Sequence, residues 1–267
     1  MSILEYQFFQ NALIGSLFAC IACGIIGTYI VTRRLVFISG GITHSGFGGV
    51  GLGMFLGINP TITAFIFAAA SALGVQWLGR KEVREDSAIA VFWILGMSLG
   101  IIFCFLTPGY SSEMSTYLFG NILTITSTDI ITLAAIAGIL LIATVIFHRQ
   151  IVLVAFDCEF AATRGINVTF IQSAMMLATA MTIVATLRLV GVVLVISMLT
   201  VPQMTALLFT NSYGKSIALS IVTGYAATIL GLLLSYGINV PSGATIILCS
   251  IVIYLLCRIA KKLCRTQ

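Results

Sequence analysis

Only two histidines occur in this chain of 267 residues, His44 and His148. His44 lies within Ser39–Gly57, SGGITHSGFGGVGLGMFLG, a stretch between two ordinary apolar runs. Its length and apolarity read as a membrane span, yet it is dense in glycine and carries an imidazole. Small residues let helices approach closely, and an ionisable group at membrane depth points to function. Two chemistries are open to His44: contact with a permeating ion, or a hydrogen bond to a backbone carbonyl. His148 sits beside Arg149 at a helix end. Cys20 and Cys23 form a C-x-x-C with no further ligands nearby, and in apolar runs a thiol behaves as a small hydrophobe.

Other polar residues gather in two places. Ser197, Thr200 and Gln203 surround Pro202 in ISMLTVPQMTALL. Proline removes a backbone hydrogen bond. The neighbouring hydroxyls and amide compensate only if they face protein or water. This helix face is therefore expected to line the interior, as pathway or gate, with kinked packing as the alternative. The second cluster is His148–Asn167, HRQIVLVAFDCEFAATRGIN, with a β-branched start, an acidic helical turn, and Gly165 placed to cap it.

Catalytic motifs are lacking. No H-E-x-x-H, paired acids or nucleophile with a base is present. Gly214-Lys215-Ser216 imitates the end of a phosphate-binding loop, but Phe209 stands where that loop needs glycine. An intramembrane enzyme is excluded on these grounds, as is ATP binding by this loop.

The elements that must position these residues follow from composition. The chain is 60% hydrophobic and 8% charged, against about 25% charged in soluble domains. This is an all-α polytopic membrane protein, a single transmembrane domain over residues 1–267. Spans of roughly 20 apolar residues are expected at Phe9–Val31, Gly40–Gly57, Thr61–Leu78, Ala88–Leu106, Ile130–Phe147, Val168–Leu187, Val190–Phe209, Ile217–Tyr236 and Ser242–Leu256. The second is short and glycine-broken, so the count is nine, or eight spans plus a re-entrant segment. The first run lacks a basic flank and is expected to be a retained span.

Placing Arg258, Lys261, Lys262 and Arg265 in the cytoplasm puts every one of the 13 basic residues there except Arg188. The N-terminus is then outside. The net charge of +5 reads as an orientation signal, not as affinity for nucleic acid. The outer side carries Glu5, Glu113 and Asp129, and its connection 107–129 is long enough to form a gate or to lie on the surface. Gly49, Gly53 and Gly57, and likewise Gly96 and Gly100, repeat at intervals of four and mark close helix contacts.

Four segments, in order, resemble the membrane-spanning permeases of ATP-driven importers for zinc, manganese or iron. IVTRRLVFISGGITHSGFGGVGLG is similar to that family's basic pair followed by a G-D-x-x-S-H-A-like segment. TYLFGNIL, followed by Asp129, resembles its Y-L-F-G-x-x-L stretch and later acid. Asp157–Gly165 resembles its E-A-A-x-x-x-G loop, and LVGVVLVISMLTVPQMTA its V-G-x-L-L-x-x-x-L-L-x-x-P-A-x-x-A helix. The resemblance covers essentially the whole chain. It implies the type II, vitamin B12 importer-like permease architecture.

The resemblance also implies two copies around a shared pathway, two separate ATP-binding cassette subunits, and an extracytoplasmic metal-binding protein. The setting would be a bacterial inner membrane and its lipid. No tightly bound cofactor is implied. The cargo would be a divalent metal, zinc first and then manganese or iron, with His44 as a transit ligand. The family's aspartate four residues before the histidine is Gly40 here. Asp157, Glu159, Ala161, Arg164 and Gly165, within 148–167, would couple to the ATPase. Glu113, Ser197, Thr200, Pro202 and Gln203 would line or gate the pathway. The alternative is a secondary transporter or channel working without an ATPase; such proteins place several ionisable groups at the midplane, and this chain offers His44 alone.

Overall fold

The computed structural model describes residues 6–79, 84–107, 120, 122 and 125–265. They form α1 (Gln7–Thr32), α2 (Val36–Leu56), α3 (Pro60–Gly79), α4 (Glu85–Leu106), α5 (Ser127–Ile146), α6 (His148–Phe156), α7 (Cys158–Thr163), α8 (Val168–Met198), α9 (Val201–Phe209), α10 (Tyr213–Ile238) and α11 (Ser242–Arg265). Among the described residues, eight helical segments are long and apolar enough to cross a membrane. The protein is all-α and polytopic.

The second span departs from expectation. Residues 36–56 form one unbroken helix of 21 residues, about 31 Å long. Its glycines, with Thr43, His44 and Ser45, make it less apolar than the other eight but do not interrupt it. The reason is packing. A Cβ on Gly48 would lie 2.6 Å from the Gly96 carbonyl oxygen, and one on Gly51 would lie 2.6 Å from that of Gly100. The α4 backbone occupies the space that side chains would fill, and this contact offsets glycine's weak helix propensity. On its other face, a Cβ on Gly49 would meet the Thr63 carbonyl oxygen of α3 at 2.4 Å.

α8 contains two spans in one run. At Gly191 the backbone takes φ 74° and ψ 165°, a conformation open to glycine. Met175 shares a cavity wall with Ile25 and Ile26 of α1, while Leu199 presents its carbonyl to the neighbouring Gly27. A straight helix would set Met175 and Leu199 about 36 Å apart. The chain has therefore reversed at Gly191, giving the separate segments Val168–Leu187 and Leu189–Phe209.

Pro202 is not in a helix interior. The helix ends at Met198, Thr200 is non-helical, and Pro202 stands in the first turn of α9, where a missing N–H costs little. The last span runs on to Arg265, so the basic cluster from Arg258 to Lys262 rides on a helix and not on a tail. Basic side chains there complement the carbonyl end of the helix and extend toward the interface. The β-branched residues after His148 are helical in α6, with Ile151, Val154 and Ala155 turned inward. Apolar side chains such as Phe105, Ile131 and Val145 form an exposed belt suited to lipid.

Candidate functional site

His44 is the ninth residue of α2, near mid-helix, and is only partly buried. Its Nδ1 lies 3.2 Å from Met97 Sδ. A thioether can only accept, so in this contact the ring N–H donates to sulfur. The imidazole also stacks on Trp93, with ring centroids 4.5 Å apart and 13° between planes. Trp93 and Met97 lie four residues apart on α4, on the face that the glycine seam presses against α2. His44 is thus paired with a side chain, not with a backbone carbonyl. Among the described residues, no group of three or more His, Cys, Asp or Glu could hold a metal ion.

Toward the basic end lies a cavity of about 230 Å³, lined by residues that include Tyr29, Arg33, Ile38, Gln76, Glu85 and Gln172. Ile38 is six residues before His44 on α2, about 9 Å along the axis. Tyr29 Oη, Arg33 Nε and Gln76 Nε2 are buried without a protein partner. Buried polar atoms require water or a ligand, so this cavity is a polar chamber on the basic side of His44.

The residues around Pro202 behave differently. Met198 O would normally accept from the N–H of residue 202, which proline lacks. Gln203 Nε2 takes that place, donating to Met198 O at 3.1 Å and to Cys23 O of α1 at 2.9 Å. Thr200 Oγ1 donates to Ile196 O at 2.8 Å. Ser197, Thr200, Pro202 and Gln203 are all buried within the protomer. The expected compensation is present at Gln203 and Thr200 and joins α8 and α9 to α1, while Ser197 Oγ and Gln203 Oε1 are buried without a hydrogen-bond partner.

At the basic end, α7 is capped at both ends. Asp157 Oδ1 accepts from Phe160 N at 2.9 Å. Gly165 adopts φ 76°, with Gly165 N donating to Ala162 O and Ile166 N to Ala161 O. This is a Schellman stop, as the sequence indicated. Asp157, Glu159 and Arg164 are exposed, and Arg164 lies over the Phe160 ring, 5.1 Å from its centroid. Ala161 is fully buried; it seats the helix and is not free to contact a partner. Arg33 Nη1 donates to Cys158 Sγ at 2.9 Å, tying the start of α7 to α1. Glu113 lies outside the described residues. Asp129 closes a capping box with Thr126 at the start of α5.

Sequence reasoning missed four residues. Trp93 and Met97 sat in an ordinary apolar span; their spacing of four beside Gly96 and Gly100 was the available signal. Phe156 and Phe160 are 64% and 44% exposed beside the acidic turn, an apolar face suited to docking that no motif flagged.

Comparison with known proteins places these features in context. The model of a family described as the ABC 3 transport family matches residues 5–261. An uncharacterized membrane protein of Synechocystis is 38% identical over 95% of this chain and 90% of its own length. The manganese transport system membrane protein MntC of Listeria monocytogenes is 33% identical over 94% of this chain and 90% of its own. Among solved structures, PsaBC from Streptococcus pneumoniae in complex with Fab superposes with a TM-score of 0.86 at 30% identity, covering 96% of this chain and 92% of that one.

Proposed function

The chain belongs to the ABC 3 transport family, and from that premise we propose that it is the permease subunit of an ATP-driven importer of a divalent transition metal, zinc first and then manganese or iron. ATP hydrolysis resides on separate cassette subunits. The observation that carries this reading is α7. It is a short helix with Asp157 and Glu159 at its start, fixed by caps at both ends, exposed at the basic end of the bundle, preceded by Phe156 and carrying Phe160. A rigid, exposed surface of this kind suits transmission of motion from an ATPase. Asp157, Glu159 and Arg164 supply its charges, and Gly165 supplies its turn.

Two copies form the pathway. His44, Trp93 and Met97 are only partly buried in one protomer, and an imidazole at mid-membrane is costly against lipid. A second copy covering this face relieves that cost. The metal is handed over on the outer side by a binding protein, passes His44, and leaves through the polar chamber. No tightly bound cofactor is needed. The chain lies in a bacterial plasma membrane with its N-terminus outside and its C-terminus in the cytoplasm, because the basic residues gather at one end.

The test is purification from native membranes with the metals in the sample quantified. A cassette ATPase should co-purify and be lost in Gly165→Trp. Metal flux in liposomes without any ATPase would instead establish a self-sufficient transporter.

A further inference from the structure

Resting on the importer reading, we infer that Met97 joins His44 as a second, soft donor, so that the transit site passes zinc(II) and discriminates against manganese(II). Four observations support the assignment.

The donors are an imidazole nitrogen and a thioether, held 3.2 Å apart. A tetrahedral ion with a bond of about 2.1 Å to nitrogen and, with the zinc–thiolate length as the lower bound for a thioether, about 2.3 Å to sulfur needs these atoms about 3.6 Å apart or slightly more. Insertion therefore requires an opening of about 0.4 Å or slightly more, within reach of one rotation of the flexible methionine, and the neutral ring must carry its proton on Nε2 so that Nδ1 is free to bind.

The hard donors are removed. Gly40 is the nearest position one turn earlier on α2, and a Cβ there would lie 3.0 Å from the Trp93 ring. Any carboxylate on that face would have to displace the indole. The neighbouring hydroxyls are engaged elsewhere: Thr43 donates to Ser39 O, and Ser45 pairs with Ser71 of α3. Among the described residues of one copy, the side chains in contact with His44 are the Met97 thioether and the Trp93 ring. Thioethers and imidazoles favour zinc and cuprous ions, whereas manganese favours carboxylate, carbonyl and water.

The backbones are fixed while the thioether can turn. Met97 follows Gly96, whose own Cβ would lie 2.4 Å from Ser45 Cα, so the seam holds the methionine backbone against α2 beside the imidazole. Each copy contributes two neutral donors, which hold an ion less tightly than carboxylates or thiolates and let it move on, as permeation requires.

The test uses the complete importer, this chain with its ATPase and binding protein, in proteoliposomes. Uptake of zinc, copper(I) and manganese is measured separately with and without ATP. The wild-type importer should carry zinc in preference to manganese, with copper(I) included as a soft competitor. In Met97→Leu, which keeps the volume and removes the sulfur, zinc uptake should fall roughly tenfold or more, at least the scale of losing an outer-shell contact at a metal site. Met97→Cys, which retains a sulfur donor, should keep the preference. Because Met97→Leu could fail to fold, the unmutated importer provides a second measurement: excess copper(I) should block zinc uptake and excess manganese should not. ATP-dependent manganese uptake that is favoured in the wild type and unchanged in Met97→Leu would overturn the soft site and leave the importer intact. No ATP-dependent uptake of any of the three ions would overturn the importer reading itself.

Discussion

Two regions of this molecule bring polar side chains to membrane depth, and they use them in opposite ways. At the joint between α8 and α9, the Gln203 amide N–H is spent on two backbone carbonyls, Met198 O and Cys23 O. At the seam between α2 and α4, His44 is held by a thioether contact and a ring stack. The joint is fully buried and the seam is half open. A backbone carbonyl deprived of its partner in an apolar interior costs the full desolvation penalty, so the joint is a structural repair. An imidazole resting on sulfur can exchange that contact for an ion at little cost, so the seam is available for traffic. Burial alone does not separate these roles; what the polar atom is bonded to does.

The comparison is open to challenge along the stability axis. The largest loss should come from Gly48→Val, which drives a side chain into the Gly96 carbonyl. It should cost about 3 kcal/mol or more, seen as lost folded yield or a lower midpoint in thermal unfolding in detergent. Wild-type stability would mean that backbone contact does not hold the seam. Gln203→Leu should cost about 1–3 kcal/mol by orphaning Met198 O, while uptake per folded molecule stays near wild type. Uptake lost at full stability would move Gln203 into the pathway and erase the contrast. Gly165→Ala, outside both regions, should cost about 1–2 kcal/mol because a Cβ is strained at φ 76°. That cost should appear as weaker retention of the ATPase in co-purification. His44→Ala should have the smallest effect on stability, within about 1 kcal/mol, yet abolish metal uptake. A large drop in unfolding midpoint for this variant would make His44 a structural residue like Gln203.

Much of this architecture was legible in the sequence, for local reasons. Spans were readable because each must satisfy its own backbone and present apolar length to lipid. The stop at Gly165 and the reversal near Gly191 were readable because glycine and short polar punctuation act within a few residues. The second span was misjudged because glycine propensity is local, whereas what holds α2 together is the α4 backbone about 50 residues away. Pro202 was rightly flagged, and the compensating amide was named, but its second partner, Cys23, lies 180 residues away.

By itself, then, the sequence determined that the chain is a polytopic helical membrane protein, which end carries the basic residues, where it turns, and that His44 is its one imidazole in a span. Those properties depend on composition and on contacts within one helical turn. Only the tertiary structure decided what His44 faces, that Trp93 occupies the space beside Gly40, and that Ala161 is anchor and Glu159 is surface. A side chain's neighbours across a helix interface are set by the register of two packed helices, and that register is fixed by steric fit along their whole length.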